Sequence, residues 1–141
     1  MEPASLSRKL AEYACRLSFS DLSSEHVKKM KLFFLDWLGS AYAGQKERPV
    51  TMMLQVIQEM GGNPESTIIP DGSKTTCLSA SLINGASSHV VEMDDLHRGS
   101  ILHPAAAIIP ALLALAERER SAGADLILAI SVGYEVGIRI A

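Results

Sequence analysis

Residues Asn84–Pro104 read NGASSHVVEMDDLHRGSILHP and hold three of the four histidines, His89, His97 and His103, together with the carboxylates Glu92, Asp94 and Asp95. The segments on either side are runs of Ala, Leu, Ile and Val with almost no charge. Ionisable groups cost free energy to bury, so a dense knot of them between apolar segments needs a reason. The reading that follows is an active-site wall carried by packed helices. It predicts an all-α, mainly helical chain with one short β-hairpin near 66–77.

Working outward, the apolar spacing is helical almost everywhere. Leu78–Val91 leads into the charged loop and is rich in small residues (Ala80, Gly85, Ala86, Ser87, Ser88), which let a neighbouring backbone come close. Pro104 is placed to be the first residue of a helix reaching about Arg120, with Pro110 expected to kink or restart it. After the turn at 121–125, Leu126–Ala141 carries Ala129, Gly133 and Gly137 four apart on one face suited to tight packing. Ala141 falls inside this helical run, so residues 1–141 are expected to be part of a larger helical domain.

Upstream, Ser5–Leu17 has Leu6, Leu10, Tyr13, Ala14 and Leu17 on one side and charges on the other. Glu25–Tyr42 aligns Val27, Met30, Phe33, Phe34, Trp37, Leu38 and Ala41, the most strongly amphipathic segment by inspection, and Gly44 is its expected stop. It is therefore expected to be the central core helix. A third helix starts at Pro49, with Met53, Leu54, Ile57 and Met60 inward and Gly61-Gly62-Asn63-Pro64 closing it. Two β-prone runs around Asp71-Gly72 read as a hairpin that Pro70 confines to an edge.

Composition narrows the class. With 48% apolar and 21% charged residues, the 141-residue chain is globular and about one domain in length. Aromatics make up only 5%, which suits close-packed helices better than a β-sandwich. The net charge is −3 with both signs interspersed, and there is no basic patch for nucleic acid or for a membrane surface. The longest apolar run, Pro104–Ala116, is short of the roughly 20 residues that a membrane span needs. Cys15 and Cys77 have no CxxC spacing and read as reduced thiols in a cytoplasmic protein. No phosphate-binding loop, GxSxG elbow, HExxH or EF-hand pattern is present.

In the charged loop, His103 precedes Pro104 and so stands at the positive end of a helix dipole, beside free backbone N–H groups that attract carboxylates. That field favours the neutral imidazole, a base or hydrogen-bond donor; the plainer reading is an ordinary helix-capping histidine. Adjacent carboxylates cannot both face one way on a helix or strand, so of Glu92, Asp94 and Asp95 at most one or two reach the pocket of His103. His89 and Glu92 are three apart, on one face if the helix persists that far. His97 reads as a second acid/base or as loop surface, and Arg98 as a partner for a substrate carboxylate or a surface charge. Asp94, Asp95, His97 and His103 are all potential metal ligands, but their spacing matches no ligand pattern, so the metal-free reading, with no cofactor, stands first.

The loop resembles the MmgE/PrpD family, which includes 2-methylcitrate dehydratase, cis-aconitate decarboxylase and iminodisuccinate epimerase. The resemblance runs through Asn84-Gly85, His89, an acid at Glu92, Asp94-Asp95 and His103-Pro104. It is flanked by Asp36-Trp37-Leu38-Gly39 with Gly44, by Pro110-Ala111 through Ala116-Glu117, and by Gly133-Tyr134-Glu135 with Arg139. It implies a cofactor-independent lyase or isomerase acting on small polycarboxylates by moving a proton next to a carboxylate. It further implies a homodimer whose subunits pair a helical domain with a lid domain absent from this chain, and an N-terminal portion that is inactive alone. His103, Asp95 and Asp94 take the catalytic positions, with Asp95 orienting His103; Glu92, His97, His89 and Arg98 fall to substrate binding. Glu92 stands where the family usually has Asp, Leu96 where Thr is common, and the loop to His103 is a residue longer than in decarboxylase-like members. Dehydration, decarboxylation and epimerisation therefore stay open, beside the alternative of a non-catalytic helical binding or dimerisation module.

Overall fold

Short polar side chains start most of the helices. The Ser5 hydroxyl accepts the Arg8 N–H ahead of α1 (Leu6–Arg16), and Ser23 accepts the His26 N–H ahead of α2 (Ser24–Gly44). Pro49 sits in the first turn of α3 (Arg48–Met60), where its missing N–H costs nothing. Thr76 caps α4 (Cys77–His89) through the Ser79 N–H. Pro104 opens α5 (Pro104–Glu119), and Asp125 closes the first turn of α6 (Gly123–Ile140) by accepting the Ala122 N–H. A single 3-10 turn, Phe19–Asp21, links α1 to α2. The computed structural model describes residues 5–69 and 71–141.

Between α3 and α4, β1 (Ser66–Thr67) pairs antiparallel with β2 (Lys74–Thr75), Ser66 opposite Thr75 and Thr67 opposite Lys74. Gly72 takes φ +75° in the turn, as the Asp-Gly pair requires. Pro70, expected to hold the hairpin to an edge, lies outside the described residues. The hairpin is fastened to the helices by side chains. Ser66 Oγ donates to the Ala114 carbonyl at 2.6 Å, Thr67 Oγ1 donates to Glu117, and Asn84 both accepts the Ile69 N–H and donates to the Thr67 carbonyl, each at 2.9 Å. Asn84, the first residue of the resemblance motif, is fully buried and holds structure together.

α4 lies between α2 and α5, α6 packs on α5 and α2, α3 lies along α4, and α1 leans on α6. The main core joins Met30, Trp37, Ala41, Ala105, Ile109, Ile130 and Tyr134. A second, under the hairpin, joins Val50, Ile57, Ile68 and Ile83. α2 is central as expected, but it is not the most one-sided helix, since Leu32, Leu35 and Tyr42 are exposed on its outer side. Met60, expected inward, is also exposed, because it sits on the last turn of α3 beyond the second core. The apolar face of α1 is only partly covered, with no fully buried residue. α5 runs unbroken as a helix through Pro110, where a kink or restart was expected.

Gly44 does not stop α2 by adopting a left-handed turn. It is the last, buried residue of the helix, and a Cβ there would lie 2.0 Å from the Ser87 carbonyl oxygen of α4. The absent side chain lets the two backbones touch. Gly133 of α6 instead makes room for a side chain: a Cβ there would lie 2.6 Å from Ile108 Cγ2 of α5. Among the described residues, no helix is long and apolar enough to cross a membrane.

Candidate active site

α4 ends at His89, and the chain turns back before α5 begins at Pro104. The reversal uses left-handed backbone at two residues that are not glycine, Glu92 (φ 52°) and Ile101 (φ 54°), and a single antiparallel bridge between His97 and Leu102. Such backbone is uncommon for a β-branched residue and marks a loop held in shape by its surroundings. Because α4 stops at His89, Glu92 does not share a helical face with that histidine; only its backbone N–H reaches the His89 carbonyl, at 2.9 Å.

The turn swings Asp94 inward. Its side chain is fully buried and lies between two imidazoles, from the end of one helix and the start of the next. His89 Nδ1 donates to both carboxylate oxygens at 3.0 and 3.1 Å. His103 Nδ1 lies 3.3 Å from Oδ2, within ion-pair range, but out of line for a hydrogen bond, so this buried nitrogen has no hydrogen-bond partner. The two rings meet edge to face with centroids 4.9 Å apart. His89 and His103 border a cavity of about 600 Å³ whose other walls are mostly apolar, among them Leu82, Ile101, Leu102 and Ala106. A buried carboxylate flanked by two imidazoles on the edge of an apolar cavity is suited to hold and exchange a proton.

Asp95 points elsewhere. Its Oδ1 accepts the Ala105 N–H at 2.9 Å and its Oδ2 accepts the Tyr134 hydroxyl at 2.8 Å. It therefore caps α5 and ties it to α6, and the expectation that Asp95 orients His103 is corrected: the carboxylate beside His103 belongs to Asp94. The same contact revises the expected anion site at the start of α5, where the chain's own Asp95 takes the Ala105 N–H. His103 occupies the capping position without making a capping bond.

The remaining expected residues are not gathered. His97 is exposed, bonds Ser100 Oγ at 2.8 Å, and lines a different cavity of about 420 Å³ with Asp95, Tyr134, His26 and Lys29. Glu92 and Arg98 are exposed on the loop. Tyr134, absent from the expected site, is buried, stacks on Phe33 at 5.0 Å between centroids, and has its phenol pushed above the ordinary 10.0 by burial and by its hydrogen bond to Asp95. Its signal in the sequence was a tyrosine in the middle of an apolar helix, which needs a partner for its hydroxyl when buried.

Three side chains, His89, Asp94 and His103, present ligand atoms within 4.8 Å of one another. This is not the set of potential ligands named from the sequence, since Asp95 and His97 face away and His89 joins.

Residues 8–141 match the MmgE/PrpD N-terminal domain. Cis-aconitate decarboxylase of Aspergillus terreus is 29% identical over 136 residues, covering 93% of this chain and 28% of the relative. Human cis-aconitate decarboxylase is 30% identical over 130 residues, covering 88% of this chain and 27% of the relative. The cis-aconitate decarboxylase-like protein oryM of Aspergillus oryzae is 25% identical over 138 residues, covering 93% and 29%. The chain thus spans less than a third of the length of these relatives. By the match that runs from residue 8 to residue 141, the chain belongs to the MmgE/PrpD family.

Proposed function

We propose that this chain supplies the proton-transfer centre of a cofactor-independent lyase or isomerase acting on small polycarboxylates, and that decarboxylation of cis-aconitate is the first reaction to test. One observation carries the reading: Asp94 is buried between His89 and His103 at the edge of a cavity. The names of the relatives support the substrate class.

In this mechanism the Asp94 carboxylate faces Nδ1 of His103 and leaves Nε2 as the working nitrogen. A carboxylate beside an imidazole stabilises the imidazolium that forms. His103 Nε2 takes a proton from the carbon next to a substrate carboxylate, or returns one to it. In decarboxylation the C–C bond to the departing carboxylate breaks, carbon dioxide leaves, and the electron pair left on carbon takes the proton from His103. In dehydration the C–H pair becomes the new double bond as hydroxide leaves with a proton. Arg98, exposed on the loop, is left to pair with one of the substrate's remaining carboxylates. Homodimeric assembly in the cytoplasm belongs to the same proposal.

The test follows carbon dioxide release from cis-aconitate by the longest natural form of the protein. His103→Ala is expected to lower the rate by about 10² or more, with the fold retained by circular dichroism. Asp94→Asn is expected to lower it too, and Asp95→Asn much less. A folded His103→Ala variant with undiminished activity overturns the assignment. A protein that binds the acids but never turns them over marks a binding or dimerisation module instead.

A further inference from the structure

A fully buried carboxylate needs polar partners, because an unpaired one inside a protein is costly. At Asp94 the neighbouring groups are the two imidazoles, only one of which makes an aligned hydrogen bond. His103 Nδ1 is buried, turned toward the carboxylate and left without a hydrogen-bond partner. Asp94 Oδ2 lies 3.0 Å from one ring nitrogen and 3.3 Å from the other. Donors roughly 2.0–2.1 Å from a tetrahedral ion are themselves about 3.3 Å apart, so both Asp94–histidine distances already suit one cation, and with all three ligand atoms within 4.8 Å of one another the imidazoles would only have to draw together around it. Two imidazole nitrogens and one carboxylate oxygen are the donor set of zinc-class ions, whereas magnesium and calcium take oxygen alone.

We propose that His89, Asp94 and His103 form a three-ligand site for a zinc-class divalent cation, occupied in alternation with the protons that the two histidines carry. Binding itself does not depend on the proposed reaction. Only its consequence does: an ion on His103 Nδ1 would replace the proton that keeps Nε2 available as a base, so occupancy would block turnover.

The experiment is titration of the longest natural form of the protein, without substrate, by Zn2+ in competition with a chromophoric chelator, with Co2+ as a spectroscopic stand-in. One ion per chain is expected, with the intense visible absorption of tetrahedral Co2+ and no competition from Mg2+. His89→Ala and Asp94→Asn should each weaken binding by more than the roughly 10–100-fold that follows loss of a ligand's supporting hydrogen bond. His97→Ala, on the same loop, should leave it unchanged. Absence of saturable Zn2+ binding overturns the proposal, as does binding that survives both His89→Ala and Asp94→Asn. His89 is half-exposed, so His89→Ala keeps the test decisive if Asp94→Asn fails to fold. Failure here leaves the carbon dioxide assay untouched, and the two readings fall separately.

Discussion

Replacing two glycines of one helix by alanine should move stability in opposite directions. At Gly44 the new Cβ would lie 2.0 Å from the Ser87 carbonyl oxygen, 3.0 Å from its carbonyl carbon and 2.6 Å from Val90 Cγ1. Ordinary Cβ contacts begin at 3.4 Å, so relieving the first clash alone needs about 1.4 Å (3.4 − 2.0) of helix separation. The obstacle is the backbone of α4, which has no rotamer to change. Overpacking of this kind costs about 1–3 kcal/mol, and the rigid obstacle argues for the upper end. Alanine's better helix propensity returns about 0.5–1 kcal/mol, leaving Gly44→Ala about 2 kcal/mol less stable. Gly39, five residues earlier in α2, has nothing within 4 Å of its added Cβ, so Gly39→Ala keeps only the propensity gain and should be about 0.5–1 kcal/mol more stable. Urea unfolding can be followed by the fluorescence of Trp37, the only tryptophan and fully buried. The midpoints should shift in opposite directions with unchanged slopes. Equal stability of Gly44→Ala and the native chain would refute the close approach of α2 and α4. Because Ser87 precedes His89 by two residues, the same push should disturb the cluster.

Asp95→Ala leaves the Ala105 N–H and the Tyr134 hydroxyl without their acceptor; a lost helix cap and an unpaired buried donor together cost about 2–4 kcal/mol. A thermal midpoint lower by roughly 10 °C is expected, at about 4 °C per kcal/mol for a chain of this size. The raised phenol of Tyr134 gives a pH dependence of known sign. The unfolded tyrosine loses its proton above about 10.0 while the folded one keeps it, so its contribution is fully present below that pH and declines above it. Tyr134→Phe should flatten the alkaline fall in stability, measured as urea midpoints at rising pH; an unchanged fall would place its cause elsewhere.

Helix starts were legible where the signal is local: Pro49 and Pro104 act within one turn of their own positions. The hairpin was legible for the same reason, through the Asp-Gly pair. What was not legible depends on contacts made far along the chain. Gly44 reads correctly as the end of α2, but the sequence alone does not show that α4 lies against it. Asn84 reads as part of a loop motif until its side chain is seen bridging the hairpin to α4. The acidic pair, seen in sequence alone, does not reveal which member faces the histidines. That depends on the left-handed turn at Glu92, a conformation no sequence signal favours for glutamate, and on Tyr134, 39 positions after Asp95. His89 was visible as a candidate, but its place beside Asp94 followed only from the end of α4.

The central claim is that the cluster around Asp94 moves a proton at carbon. Its most direct test is proton NMR of the longest natural form of the protein in deuterated water with a panel of di- and tricarboxylates, cis-aconitate first. Deuterium is expected to enter next to a carboxylate, in substrate or product, with no such entry in His103→Ala or Asp94→Asn. Exchange that persists in both folded variants, or none with any acid from folded native protein, would contradict it.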